Sequence, residues 1–325
     1  MVAVPLDARV ALVVNTGSRR GAAALTRAAV RLREAGFAGV EVHPVRPGER
    51  LEEVLAAALA ARPEVLVVGG GDGTMSAAAG LVAGTDTVLG VLPLGTANDL
   101  ARTLRIPSDL EAAVRVLTTG RVVDIDLGRV DGRPYLNVAS IGLSVAVTER
   151  LSARSKKVLG PLAYPVATAR AYRAHVPFAA RLEFPDGDHP TLEVQDLMQV
   201  AVGNGRHYGG GNTVAPDASI DDRVLDVYAI ERGRWRDHVS IAGLLRSGRF
   251  VEHERVHHLR TRQVRVVTDP SLPINLDGEI AATTPALFSQ ERNAVHVVLP
   301  ADSDAAVLDG PAPHGWGDRP PGATS

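Results

Sequence analysis

Over residues 8 to 104 the sequence alternates apolar, β-branched runs with segments of helical period, joined by short loops. ARVALVV (8–14), VEVHPV (40–45), EVLVV (64–68) and TVLGVLP (87–93) read as buried strands. AAALTRAAVRLREAGF (22–37), RLEEVLAAALAA (50–61), TMSAAAGLVAG (74–84) and LARTL (100–104) read as helices. Strands alternating with helices pair in parallel, with the helices covering both faces. The fold class that follows is an α/β domain with a Rossmann-like parallel sheet. Ligands bind at the carboxyl edge of such a sheet. Three loops open on that edge, and each carries glycine and polar residues: NTGSRRG (15–21), GGGDGT (69–74) and PLGTANDLAR (93–102).

From about residue 121 the rhythm changes. RVVDIDLGRV and RPYLNVAS flank an Asp-Gly pair, a strong hairpin signal. ARLEFPDGDHPTLEVQDLMQVAV repeats the pattern, and RVLDVYAI, RQVRVVT and AVHVVLP add strands. SKKVLGPLAYPVATARAYRAH reads as a helix broken by proline. A chain of 325 residues suits two domains. The first spans 1–125 and is completed by about 300–310. The second, 126–299, is a mainly antiparallel β-sandwich, and 311–325 reads as a disordered tail.

The net charge of −2 gives no sign of a nucleic-acid partner. No apolar run reaches the roughly 18 residues of a membrane span, and the N-terminus lacks the marks of a signal peptide. The chain has no cysteine, which excludes disulfides and thiolate metal sites and fits a cytoplasmic protein. Of 35 basic residues only Lys156 and Lys157 are lysines, and they are adjacent. An ammonium is a compact charge suited to phosphate.

Glycine loses backbone entropy on folding, so three in a row at 69–71 need a reason. GGGDGT is either a tight strand-to-helix turn, with Thr74 as N-cap, or a phosphate cradle at a helix N-terminus. It is not a Walker A loop, because no Gly-Lys-Ser/Thr follows, nor a clean GxGxxG. Its two companion loops favour a nucleotide cleft. NLDGEI (275–280) also reads two ways. Asp-Gly between apolar residues makes a hairpin turn, whereas an extended segment would put Asp277 and Glu279 on one face as paired carboxylates. Asp221, Asp222 and Asp226 form either a solvated turn or an oxygen-rich cation site. His253, His257 and His258 lack the H-E-x-x-H spacing and read as a surface strand or loop. No G-x-S-x-G elbow supports a serine hydrolase.

GGGDGT followed by LGTANDLAR resembles the catalytic domain of the diacylglycerol kinase and sphingosine kinase family, most of all its soluble bacterial members. The GGDGT loop is shared with NAD kinases and phosphofructokinase-like enzymes, while GTANDLAR is more specific to lipid kinases. The resemblance runs from Val10 to about Pro300. It implies an ATP-dependent kinase acting on a lipid hydroxyl, most directly diacylglycerol, with a sphingoid base, phosphatidylglycerol or another lipid alcohol as alternatives, and with a β-rich domain closing over the nucleotide. Asn15, Ser18 and Arg20 fall in the family's first phosphate loop, although Thr16 and Arg19 stand where that loop has proline and glycine. Gly70, Gly71, Asp72, Gly73 and Thr74 would cradle phosphates, with Gly95, Thr96 and Asn98 as the facing wall. Asp72, Asp99 and Asp126 would hold Mg²⁺, directly or through water. NLDGEI matches the family's Asp-Gly-Glu motif, which makes Asp277 the general base, with Glu279 beside it. Lys156 matches a basic position near the active site. Asp221 and Asp222 match a structural magnesium site, with Arg223 where the family has glycine.

A membrane acceptor without a membrane span implies peripheral contact at the inner membrane face. GRWRDHVSIAGLLRSGRF (233–250), with one Trp and four arginines, reads as an interfacial helix or as a helix packed on its own domain. Similar proteins are commonly homodimers. Two rivals stand beside this reading. An NAD kinase would share GGDGT but has no need of GTANDLAR. A non-catalytic nucleotide-binding regulator would lack a base or metal ligand, and Asp72, Asp126, Asp277 and Glu279 are all present.

Overall fold

The computed structural model describes residues 4–17, 19–150, 163–204, 207–208, 212–213, 220–234, 237, 244 and 249–306. The first elements are β1 (Arg9–Asn15), α1 (Arg19–Glu34), β2 (Gly39–Val45), α2 (Leu51–Ala60), β3 (Val65–Gly70), α3 (Asp72–Val82), β4 (Val88–Pro93), α4 (Asp99–Thr103) and α5 (Leu110–Thr119). Their strands pair in parallel in the order β2-β1-β3-β4. The chain steps outward from β1 to β2, then back past β1 to β3. Right-handed crossovers therefore put α1 and α2 on opposite faces. Accordingly α1 packs against α5, and α2 against α3. With both faces covered, β3 and β4 are buried along their whole length. Helix α5 was not among the sequence expectations; Asp109 caps it, accepting the Ala112 N–H at 2.9 Å.

The remaining elements are β5 (Arg121–Val130), β6 (Arg133–Tyr135), β7 (Val138–Gly142), α6 (Leu143–Arg150), α7 (Ala163–Ala174), β8 (Phe178–Glu183), β9 (Leu192–Gly203), β10 (Leu225–Glu231), β11 (Val256–Thr261), β12 (Gln263–Asp269), β13 (Pro273–Leu276), β14 (Glu279–Thr283) and β15 (Ala286–Leu299). Apart from one parallel contact between β15 and β4, their pairings are antiparallel. A short ribbon of His207–Tyr208 and Asn212–Thr213 stands apart.

The two parts share one continuous sheet because β15 belongs to both. Its first half pairs with β12, Gln263 opposite Ser289, and its end lies parallel to β4, Val297 opposite Leu89. One apolar core runs through the α/β elements and takes in Val295, Val297, Val298, Leu299, Ala305 and Ala306; a second fills the sandwich around Tyr135, Phe178, Leu197 and Phe288. The end of the described chain is tied to the first core. Ser303 Oγ donates to Leu104 O at 3.0 Å, and Arg121 Nη2 donates to the carbonyls of Ser303 and Ala306 at 2.9 Å each. The expected tail of 311–325 lies outside the described residues. Among the described residues no helix is long and apolar enough to cross a membrane.

The hairpin into the sandwich follows its sequence signal. Asp131 and Gly132 both have positive φ, +46° and +83°, as a type I′ turn requires. Gly128 lies opposite Tyr135 across β5 and β6, and a Cβ on Gly128 would stand 2.3 Å from the buried ring. Gly128→Ala is therefore expected to cost about 1–3 kcal/mol by overpacking, read as a lowered thermal midpoint.

Candidate active site

The three glycine-bearing loops meet at the carboxyl ends of β1, β3 and β4. None of Gly69, Gly70, Gly71 or Gly73 has a left-handed φ. The run is explained by crowding instead. A Cβ on Gly70 would stand 2.5 Å from the Thr74 side chain, and one on Gly95 would stand 2.5 Å from Gly71 Cα. The second and third loops thus touch backbone to backbone. Thr74 does not cap α3, contrary to expectation. Gly71, in extended conformation, is the N-cap, and Thr74 is buried within the first turn, packed over Gly70. The first helical bond runs from Met75 N–H to Gly71 O at 3.1 Å. The N–H groups of Asp72, Gly73 and Thr74 therefore have no carbonyl in their own helix and start the anion-binding end of α3.

The facing wall is built differently from expectation. Asn98 adopts the left-handed conformation (φ +52°, ψ +47°), and its amide turns back on Gly95, accepting its N–H at 2.9 Å and donating to its carbonyl at 3.0 Å. The Gly95 N–H also approaches Gly70 O at 3.0 Å. Asn98 and Gly95 therefore close their own loop, leaving Thr96 exposed at its tip. Asp72 accepts the Leu100 N–H at 3.2 Å, which binds α3 to the start of α4. Burial, and then the nearby Asp99 carboxylate, push the Asp72 carboxyl above its ordinary range.

In the first loop, Asn15 Oδ1 accepts the Gly17 N–H at 3.1 Å, and a Cβ on Gly21 would stand 2.1 Å from Asn15 O. Gly21 meets the need for a small residue here while Arg19 and Arg20 already belong to α1 rather than to the expected loop. Ser18, Lys156 and Lys157 lie outside the described residues, as do the side chains of Arg19 and Arg20.

NLDGEI forms the turn between β13 and β14, with Leu276 opposite Glu279. Asp277 and Gly278 have φ of +47° and +105°, again a type I′ turn. The extended alternation, which would have put Asp277 and Glu279 on one face, is not what forms. Instead Asp277 turns inward to the β6–β7 connection. Its Oδ1 accepts the N–H of Asn137 at 2.9 Å and of Val138 at 3.0 Å; its Oδ2 accepts the N–H of Leu136 at 2.6 Å and the hydroxyl of Ser76 at 2.8 Å. Burial raises the Asp277 carboxyl, and these bonds oppose the rise. Glu279 is exposed, and its Oε1 would lie 3.8 Å from a Cβ on Gly73. Both carboxylates of the motif therefore reach α3, one at Ser76 and one at Gly73.

Asp126 bonds the backbone of two other segments. It is fully buried, and its carboxylate accepts the N–H of Arg223 and of Asn293, both at 2.9 Å. Asn293 sits in the irregularity of β15 between Glu291 and Val295, where the ladder leaves an N–H to be satisfied. The acids of the 221–226 cluster have partners within the chain. Asp222 is paired with Arg260 at 2.5 Å, Asp226 with His258 at 2.7 Å, and Asp221 is fully buried. Arg223 holds φ +66°, the conformation glycine would favour there. Among the described residues no three His, Asp or Glu side chains converge to hold a metal.

His257 and His258 lie on β11, as a strand reading expects; His257 pairs with Glu231 at 2.8 Å, and His258 stacks on Tyr228. Most of the segment 233–250 lies outside the described residues. Of its described members, Leu244 packs on the cluster that buries Phe250. Sequence reasoning missed Ser76, Asn204 and Asn275. Asn204 Nδ2 donates to the carbonyls of Asp126 and Leu136, each at 3.0 Å. Asn275 Oδ1 accepts the Gly278 N–H at 2.7 Å, and its Nδ2 donates to Thr148 Oγ1 at 2.8 Å. Only Asn275 carried a signal, as the residue that opens the Asn-x-Asp-Gly turn.

Residues 9–130 match the family described as the diacylglycerol kinase catalytic domain, and residues 137–299 that described as the YegS C-terminal NAD kinase beta sandwich-like domain. A protein of Pseudomonas aeruginosa named "Probable lipid kinase YegS-like" is 35% identical over 302 residues, covering 92% of this chain and 97% of that protein. A Bacillus subtilis protein named diacylglycerol kinase is 28% identical, covering 76% of this chain and 80% of that one. A crystal structure titled as a diacylglycerol kinase of Bacillus anthracis has the same fold, with a TM-score of 0.73 at 22% identity over 90% of this chain and 96% of that one.

Gly95→Ala is expected to destabilise the protein by about 1–3 kcal/mol and to weaken ATP binding, because its Cβ meets the Gly71 backbone. Gly71→Ala, whose Cβ would stand 3.4 Å from Gly95 Cα, is expected to cost less. Thermal melts and nucleotide titration of both variants check the order.

Proposed function

The chain belongs to the bacterial lipid kinase family of YegS-like and diacylglycerol kinases and is an ATP-dependent lipid kinase, and we propose that its acceptor is diacylglycerol, phosphorylated to phosphatidic acid. The observation that carries the site assignment is the double reach of the Asp-Gly-Glu turn to α3. Asp277 bonds Ser76, and Glu279 lies beside Gly73, so the sandwich meets the glycine-rich loop at one point.

Phosphoryl transfer depends on positioning and on neutralising charge. The N–H groups of Asp72, Gly73 and Thr74, with the positive end of α3, receive the phosphates of ATP. Asp72 and Asp99 fit Mg²⁺: they are neighbouring oxygen donors whose mutual repulsion a divalent ion relieves. When bound, the ion offsets the phosphate charge. Asp277 accepts the proton of the lipid hydroxyl. Asn15 and Thr96 line the approach of the nucleotide. The lipid is reached by peripheral contact with the cytoplasmic face of a membrane.

The test is phosphorylation of a lipid panel with labelled ATP, including diacylglycerol, a sphingoid base and phosphatidylglycerol. Diacylglycerol is expected to label fastest, and Asp277→Asn to slow labelling by about 100-fold or more. Preferential labelling of another alcohol overturns the acceptor; an unimpaired Asp277→Asn variant overturns the base. A second prediction concerns pH. A base works only when ionised, and burial raises the Asp277 carboxyl. The acidic limb of kcat/KM is expected above the ordinary aspartate value of about 4, with activity lost as pH falls through it.

A further inference from the structure

The Asp277 carboxylate is already saturated. A carboxylate offers about four acceptor positions, and all are taken by the N–H groups of Leu136, Asn137 and Val138 and the Ser76 hydroxyl. The three N–H groups cannot yield. Their connection is clamped by Asn204, which donates to Leu136 O and, through its own N–H at 2.9 Å, to Asn137 O; the Asp277 N–H holds Val138 O at 3.1 Å. The movable donor is Ser76. It lies one turn after Asp72 on α3, so the two share a face, the one that starts at the phosphate end of the helix. A serine hydroxyl that donates one hydrogen bond still has two lone pairs to accept another.

We propose that Ser76 is a catalytic residue that relays the proton between the acceptor hydroxyl and Asp277. The inference rests on the reading of Asp277 as the base. As the acceptor oxygen bonds the γ-phosphorus, the bond from that phosphorus to the β-phosphate oxygen breaks, and ADP keeps the electron pair. The acceptor's proton passes to Ser76 Oγ, and the Ser76 proton passes to Asp277 Oδ2. The exchange leaves Ser76 a hydroxyl, and Asp277 is regenerated when it returns its proton through that hydroxyl to water. The relay needs no rupture of the clamp around Asp277. It gives a hydroxyl at this position a role that an N–H donor cannot fill, because an amide nitrogen has no free lone pair with which to accept a proton.

Single-turnover phosphorylation of diacylglycerol micelles in mixtures of H₂O and D₂O tests this. The wild-type proton inventory is expected to bow, since two protons move in one step. Ser76→Ala is expected to slow transfer by about 10- to 100-fold and to straighten the inventory, while Ser76→Thr recovers most of the rate. An unchanged rate with an unchanged inventory in Ser76→Ala overturns the relay, as does a faster variant, which would make Ser76 a plug rather than a conduit. Asp277→Asn separates the layers of the argument. If it is inactive while Ser76→Ala behaves as wild type, only the relay fails; if Asp277→Asn transfers normally, the base assignment fails with it.

Discussion

One carboxylate joins the two parts of this molecule. Asp277 projects from the turn between β13 and β14, takes three successive N–H groups from the β6–β7 connection, and accepts a hydroxyl from α3. Removing a carboxylate from water is costly unless hydrogen bonds replace the lost hydration. Here burial still raises the carboxyl despite four donors. The group therefore holds its surroundings tightly while keeping an affinity for protons above that of an exposed aspartate. Both properties come from the same enclosure.

That arrangement needs a strained turn, and the structure supports the strain from two sides. Asp277 sits at positive φ, tolerable for Asp within a type I′ turn. Asn275 ties the far side of the turn through the Gly278 N–H and anchors it to α6 through Thr148. Residues in sparsely populated conformations persist where neighbours over-determine them. The loops opposite are set by contact rather than by conformational freedom: Gly71 and Gly95 meet at the backbone, and Asn98 closes its loop on Gly95.

Much of this was legible in the chain. Strands, helices and the Asp131-Gly132 hairpin follow from local periodicity and turn chemistry, which act over a few residues. The illegible part depends on partners far apart in sequence. Ser76 and Asp277 are separated by 201 positions, and nothing near Ser76 marks it. Asp126 satisfies an N–H freed by an irregularity of β15, 167 positions away. Asp222 and Asp226 meet Arg260 and His258 brought against them by β11. In each case a carboxylate's role was decided by what the opposite strand carried.

The sequence by itself determined the α/β layer, the antiparallel second half, the loops at the sheet's carboxyl edge and the resemblance to lipid kinases, because glycine, aspartate and hydrophobic period act locally. The tertiary structure alone decided what each polar group faces. It made Gly71 the cap in place of Thr74, turned Asn98 back on its own loop, withdrew Asp126 into the junction, and brought Ser76 to Asp277. The physical reason is the same throughout. A buried donor or acceptor must be paired, and the pairing is made by whichever strand or helix the fold lays beside it.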